Sequence, residues 1–154
     1  MRTRLSLLLL PALAAACTTA PAAAPAPMSP PPAPPAMAMS GGFPTGTYTT
    51  TIAEGDVPAN APADMRSALV GAWTIAFGSN GHAMVTYNGR QVVDAPFEVS
   101  GNQLTLTDDT GEYACHSTAR YTWHAAGNEL HLTTAGDACD GRMVVLTKHP
   151  LVRR

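Results

Sequence analysis

Charged side chains are scarce in this 154-residue chain: Asp, Glu, Lys and Arg make up 13% of it, with a formal net charge of −2. That is about half the usual share, and the basic residues are dispersed. A dispersed, mildly acidic charge does not suit a phosphate backbone, so nucleic acid is not an expected partner. Also missing are a Gly-x-Ser-x-Gly elbow, a His-Glu-x-x-His pair, a phosphate-cradling glycine loop and a dinucleotide fingerprint, so no catalytic residue and no cofactor are expected. Five histidines, His82, His116, His124, His131 and His149, are scattered. Only His124 and His131 share a hairpin, near Glu129, and they read as surface residues. Asp108-Asp109 lies in a turn-rich stretch, where aspartate is favoured for local backbone hydrogen bonding. No Cys-x-x-Cys pair with a spaced histidine is present, and no metal is expected. The longest apolar run, from Leu5 to Ala16, is roughly half to two-thirds of what a membrane-spanning helix needs.

That short run is informative for another reason. Arg2 and Arg4 precede it, Ser6 and Pro11 alone interrupt it, and Ala14-Ala15-Ala16-Cys17 closes it with small residues, which is the grammar of an export signal. Leu13-Ala14-Ala15-Ala16-Cys17 resembles the bacterial lipoprotein signal, departing from it at Ala14, where leucine is commonest. The resemblance implies removal of residues 1–16 as a signal peptide and acylation of Cys17 on its thiol and new amino terminus. Multiple acyl chains anchor stably where one chain binds marginally, so the membrane is an expected partner through Cys17. Thr18 in place of aspartate after the cysteine is similar to the Gram-negative pattern for an outer-membrane destination facing the periplasm. Ordinary cleavage after an Ala-x-Ala site is the alternative, leaving a soluble periplasmic or secreted protein.

Three cysteines are an odd count for an exported protein unless one is spent elsewhere. With Cys17 lipidated, Cys115 and Cys139 are expected to form a disulfide in an oxidising compartment, closing a loop worth about 3 to 3.5 kcal/mol in chain entropy. Residues 17–41 form the linker. Residues 18–41 hold eight of the 14 prolines and no charge, a composition without the apolar surface to offset ordering. An extended polyproline tether of this kind reaches roughly 70 Å.

Residues 42–154 are enough for one domain with one core. Their apolar residues recur at period two, interrupted by turn residues about every eight to twelve positions, as in an all-β sandwich or barrel. Strands are expected over residues 47–53, from Trp73 through Ile75 and Phe77, over 82–87 and over 91–99, with a short helix over 61–70 opened by Asn60 and Pro62. Asn88-Gly89 is a type I′ hairpin signal, and Pro96 places a bend or bulge. The segment from Phe97 to Thr107 is echoed from Tyr121 to Thr133, each an aromatic-bearing arm, a Gly-Asn turn and a Leu-x-Leu-Thr arm. A final strand is expected over residues 142–147. About eight strands joined by tight turns favour closure into an antiparallel up-and-down β-barrel.

Gly71-Ala72-Trp73 after a helical lead-in, with an arginine late in the chain, resembles the Gly-x-Trp opening of lipocalins and related calycins. The resemblance covers roughly residues 46–147. It implies that Trp73 closes one barrel end beneath an arginine, with Arg142 the candidate and Arg153 a poorer one. An eight-stranded barrel is either filled by side chains or open to one small ligand. Short strands favour filling, and any remaining pocket is expected to be apolar, with Met84, Tyr87 and Tyr121 near its mouth. The expected role is binding of a small apolar or amphipathic ligand by an envelope-anchored lipoprotein. Two alternatives stand beside it. One is capture of an envelope protein through the acidic loops carrying Asp108, Asp109, Glu112, Asp137 and Asp140, as protease and lysozyme inhibitors do. The other is a purely structural role.

Overall fold

Alternation gives each strand one face fit for burial, and closing the sheet on itself is the way to bury eight such faces without leaving an edge. The computed structural model describes residues 42–154. It forms one closed antiparallel barrel in which every strand bonds the next and the last bonds the first. The strands are β1 (Gly46–Ile52), β2 (Gly71–Phe77), β3 (His82–Tyr87), β4 (Arg90–Ser100), β5 (Gln103–Leu106), β6 (Ala119–Ala126), β7 (Glu129–Gly136) and β8 (Leu151–Arg153). Helix α1 (Ala63–Leu69) follows β1, and helix α2 (Asp140–Thr147) precedes β8. The expected signal peptide over 1–16, the lipidated Cys17 and the linker over 17–41 lie outside the described residues.

Most of the expected elements form where the pattern places them. Trp73, Ile75 and Phe77 alternate inward on β2 at 1–3% exposure. Asn88 and Gly89 both take positive φ, 47° and 85°, as a type I′ turn requires. Both echoed hairpins, β4–β5 and β6–β7, are present.

Residues 142–147, expected as the last strand, instead lie in α2, so the domain has two short helices where one was expected. A short run apolar on both faces, Met143-Val144-Val145-Leu146, has no period that separates a buried strand from a buried helix. Asp140 in its first turn favours the helix through the dipole. The eighth strand comes from Leu151–Arg153, paired with both β7 and β1.

The bulge is also displaced from its expected position. Pairing passes from Val85↔Val93 to Thr86↔Gln91, which makes Val92 the extra residue, whereas Pro96 pairs in register with His82. The proline sits where β4 hands over from β3 to β5, since Phe97 already pairs with Leu106. A missing donor costs least at such a handover. Val92 is where the long β5–β6 loop docks: Tyr113 N–H donates to its carbonyl at 3.2 Å, while Asp94 and Thr110 exchange backbone bonds at 2.8 and 2.9 Å.

The two barrel ends differ. One carries the β2–β3, β4–β5 and β6–β7 turns and is plugged by Phe43, which meets Phe77 at 5.1 Å, Trp123 at 5.3 Å and Phe97 at 5.6 Å between ring centres. Arg153 lies over the Tyr48 ring at 5.2 Å and donates to its hydroxyl at 2.9 Å. The other end carries both helices and the β5–β6 loop. Inside, the sector built from Tyr48, Leu104, Tyr121, Leu130 and Leu151 is packed solid, each residue at most 1% exposed.

Gly111 permits the loop's close approach. Its φ is +118°, and a Cβ there would stand 2.3 Å from the Val92 carbonyl oxygen. Gly111→Ala is therefore expected to destabilise the fold by on the order of 3 kcal/mol, combining backbone strain with a clash against backbone. Gly127→Ala, at φ +62° with open space around it, is expected to lose only about 1 kcal/mol. Urea unfolding of the two variants measures the difference.

Candidate functional site

The remaining sector of the barrel interior is open. A cavity of about 610 Å³ lies between β2, β3, β4 and the end of β5, roofed by α1, α2 and the β5–β6 loop. Its existence has a local cause. Ala83 on β3 and Ala95 on β4 are cross-strand partners, both buried, so two methyl groups occupy positions where strands usually carry branched or aromatic side chains. Trp73, Ile75 and Phe77 face them from β2, Val85 and Val93 continue the wall, and Met65, Leu69, Val145 and Leu146 descend from the helices. The polar exceptions are grouped at the roof. They are the exposed pair Asp64 and Glu112, the buried Asp109 and the largely buried Arg142.

Arg142, in the first turn of α2, organises that roof. Its Nε and Nη2 donate to the two carboxylate oxygens of Asp137 at 2.8 and 2.7 Å. Nη1 donates to Asp109 Oδ2 at 3.2 Å, and Nη2 also reaches the carbonyl and hydroxyl oxygens of Ser117 at 2.9 and 3.1 Å. Each acid in turn holds the backbone of one disulfide cysteine. Cys115 N–H donates to Asp109 at 2.7 Å and Cys139 N–H to Asp137 at 2.8 Å. The Tyr121 hydroxyl donates to Asp137. Burial pushes the Asp137 carboxyl up, but the bonds from Arg142, Tyr121 and the Cys139 N–H outweigh it and hold its pKa below the ordinary value. Burial likewise lowers Arg142, and Asp137's bond and charge leave it raised. Tyr121 is pushed up, first by burial and then by Asp137, and stays protonated.

Cys115 and Cys139 are joined, their Cα atoms 6.0 Å apart. Trp73 and Arg142 both stand on the cavity wall at the helix-bearing end. Trp73 Nε1 donates to the Leu69 carbonyl at 2.8 Å, while Arg142 is spent on the acids; the arginine lying over an aromatic ring is Arg153. The end that is plugged is filled by Phe43 and its neighbours. Trp73 thus contributes a wall to the cavity, a contact the sequence reading did not assign to it.

The three residues expected at the mouth are placed elsewhere. Met84 is 44% exposed, because the parity of β3 turns Ala83 and Val85 inward and residue 84 outward. Tyr87 backs Trp73 at 4.6 Å between ring centres and donates to the Val70 carbonyl at 2.7 Å. Tyr121 is fully buried beneath the charge cluster. None of them lines the cavity.

Sequence reasoning missed Asp109 and the two alanines as cavity residues. Alanine inside two strands that are neighbours across one hairpin was the available signal for the cavity. Of the acidic loop residues, Asp109 and Asp137 turn inward and Glu112 pairs with Arg90, which leaves Asp108 and Asp140 as the exposed acids of that group without an ion pair. His124 and His131 are cross-strand partners with rings stacked at 4.5 Å, and His131 bonds Glu129 at 3.1 Å. Among the described residues no group of three potential ligands could hold a metal ion.

No protein-family model, curated protein or solved structure matches the chain. Geometry and chemistry therefore carry the functional argument.

Asp137 provides a test of the roof. Its folded pKa lies below its unfolded one, so its contribution to stability is complete above the ordinary aspartate value, about 4. It is lost as pH falls through the lowered folded value. Asp137→Asn is expected to lose about 3 kcal/mol near neutral pH, because it leaves Arg142 buried and half-paired, and to flatten the acid limb of the stability profile. Urea unfolding across the acid range measures both.

Proposed function

We propose that this chain is an envelope-anchored lipoprotein whose lipocalin-like barrel captures one small apolar or amphipathic molecule. The observation that carries the reading is the open apolar sector inside an otherwise well-packed barrel. About 610 Å³ falls within the range of small-molecule sites, roughly 300–1,000 Å³, and a purely structural domain has no need of such a space. The loop-binding alternative draws less support, since its acidic residues are largely consumed by Arg142 and Arg90. Entry is at the helix-bearing end.

The cavity predicts that an apolar, environment-sensitive dye binds the purified protein with saturation. It also predicts that native mass spectrometry finds a co-purifying amphiphile. Ala95→Phe fills the space and is expected to weaken dye binding at least about tenfold, about 1.4 kcal/mol, while the outward Met84→Ala leaves it unchanged. Equal binding by wild type and Ala95→Phe overturns the reading.

Anchoring is tested separately. The full chain expressed in a Gram-negative host is expected to fractionate with membranes and to carry the mass of attached acyl chains beginning at Cys17. Cys17→Ser is expected to move it to the soluble periplasmic fraction. An unacylated wild-type protein starting at any other residue overturns the lipoprotein assignment.

A further inference from the structure

If the cavity holds a ligand, as proposed above, its wall specifies what the ligand's polar end must be. Asp109 is 2% exposed and stands on that wall. Its Oδ2 already accepts from the Cys115 N–H and from Arg142. Its Oδ1 is buried and, among the described residues, has no hydrogen-bond partner. A buried carboxylate oxygen without a donor carries its full desolvation penalty, so the site favours any ligand that brings a donor to it.

The charge balance narrows that donor. Asp109 and Asp137 are two buried carboxylates sharing one guanidinium. Arg142 spends Nε and both Nη2 hydrogens on Asp137 and Ser117 and one Nη1 hydrogen on Asp109, which leaves a single Nη1 N–H. Among the described residues Arg142 is the one cation lining the cavity, whereas Asp64 adds a further carboxylate at its outer edge and Glu112 is paired with Arg90. An anionic head group meets Asp109 and Asp64 and an arginine whose charge is already shared by two carboxylates. A hydroxyl head satisfies Oδ1 with one hydrogen bond but brings no charge. A protonated amine makes the same bond with a charged donor and also neutralises the excess charge. Trp73 and Tyr113, whose ring centres are 6.2 Å apart, stand on the same wall and present aromatic surface that attracts cations.

We propose that the barrel selects an amphipathic amine, its protonated nitrogen donating to Asp109 Oδ1 and its apolar body lying against Trp73, Ile75 and the Ala83–Ala95 pair. This is the reverse of a fatty-acid site, in which an arginine not already neutralised by the protein's own acids would receive a carboxylate.

The test is calorimetric titration of the full chain carrying Cys17→Ser with decylamine, decanol and decanoate, each kept monomeric. Decylamine is expected to bind about tenfold more tightly than decanol, because only the amine adds an opposite charge to its hydrogen bond with the carboxylate, and decanoate to bind weakest. Asp109→Asn is expected to bring decylamine down to the level of decanol without changing decanol. Amide spectra of the wild type give a second readout that does not depend on the variant folding: decylamine is expected to shift Asp109 and Cys115 more than decanol does. Decanol or decanoate binding as tightly as the amine, or an amine preference that survives Asp109→Asn, overturns the head-group assignment and leaves the carrier reading standing. Failure of all three probes and of the apolar dye overturns the carrier reading itself.

Discussion

The guanidinium of Arg142 is the interaction on which the helix-bearing end of the barrel depends. Two connections, the long β5–β6 loop and the short β7–α2 link, each contribute one acid and one cysteine to a common junction. The arginine joins the acids, the disulfide joins the cysteines, and each acid holds the backbone N–H of its own cysteine. A buried ion pair of this kind adds little net stability compared with an apolar equivalent, and its use lies in fixing one arrangement. Here the arrangement it fixes is α2 lying across the barrel mouth, with Val145 and Leu146 facing inward.

That roof makes an enclosed space out of what is otherwise a gap in packing. The gap itself comes from two alanines at one cross-strand position, facing β2 over a distance that larger side chains would fill. On the other side of the same barrel, tyrosines and leucines of β1, β5, β6 and β7 meet without residual space. One small barrel therefore combines a packed half, which supplies stability, with an open half, which leaves an internal cavity. The disulfide offsets apolar contact that the open half does not make, a common device where a small domain has limited core. The roof also confers polarity on the cavity, because Asp109, one of the two acids that anchor the loops, also reaches its wall.

A good part of this was legible in the chain. Period-two alternation announced the strands, Asn88-Gly89 announced its turn by needing positive φ twice, and the odd cysteine count pointed to the Cys115–Cys139 pair once Cys17 was assigned elsewhere. These signals are local, and a one-residue slip would expose a whole apolar face, so the pattern tolerates few alternatives. Met143-Val144-Val145-Leu146 was not legible, since four apolar residues in a row are compatible with a strand or a helix until the packing surface is known. Met84 and Tyr121 were misplaced for a related reason: composition says which residues are adaptable or aromatic, but only the register says which way they point.

Strand number, antiparallel closure and the disulfide partners thus follow from residues read in order, because each is announced by local pattern and composition. Whether the barrel interior is empty or full, which acids turn inward, and where Arg142 spends its donors were decided only when distant segments met. Cavity volume and charge balance are differences between large, nearly cancelling contributions from many side chains, and such differences exist only in the folded arrangement.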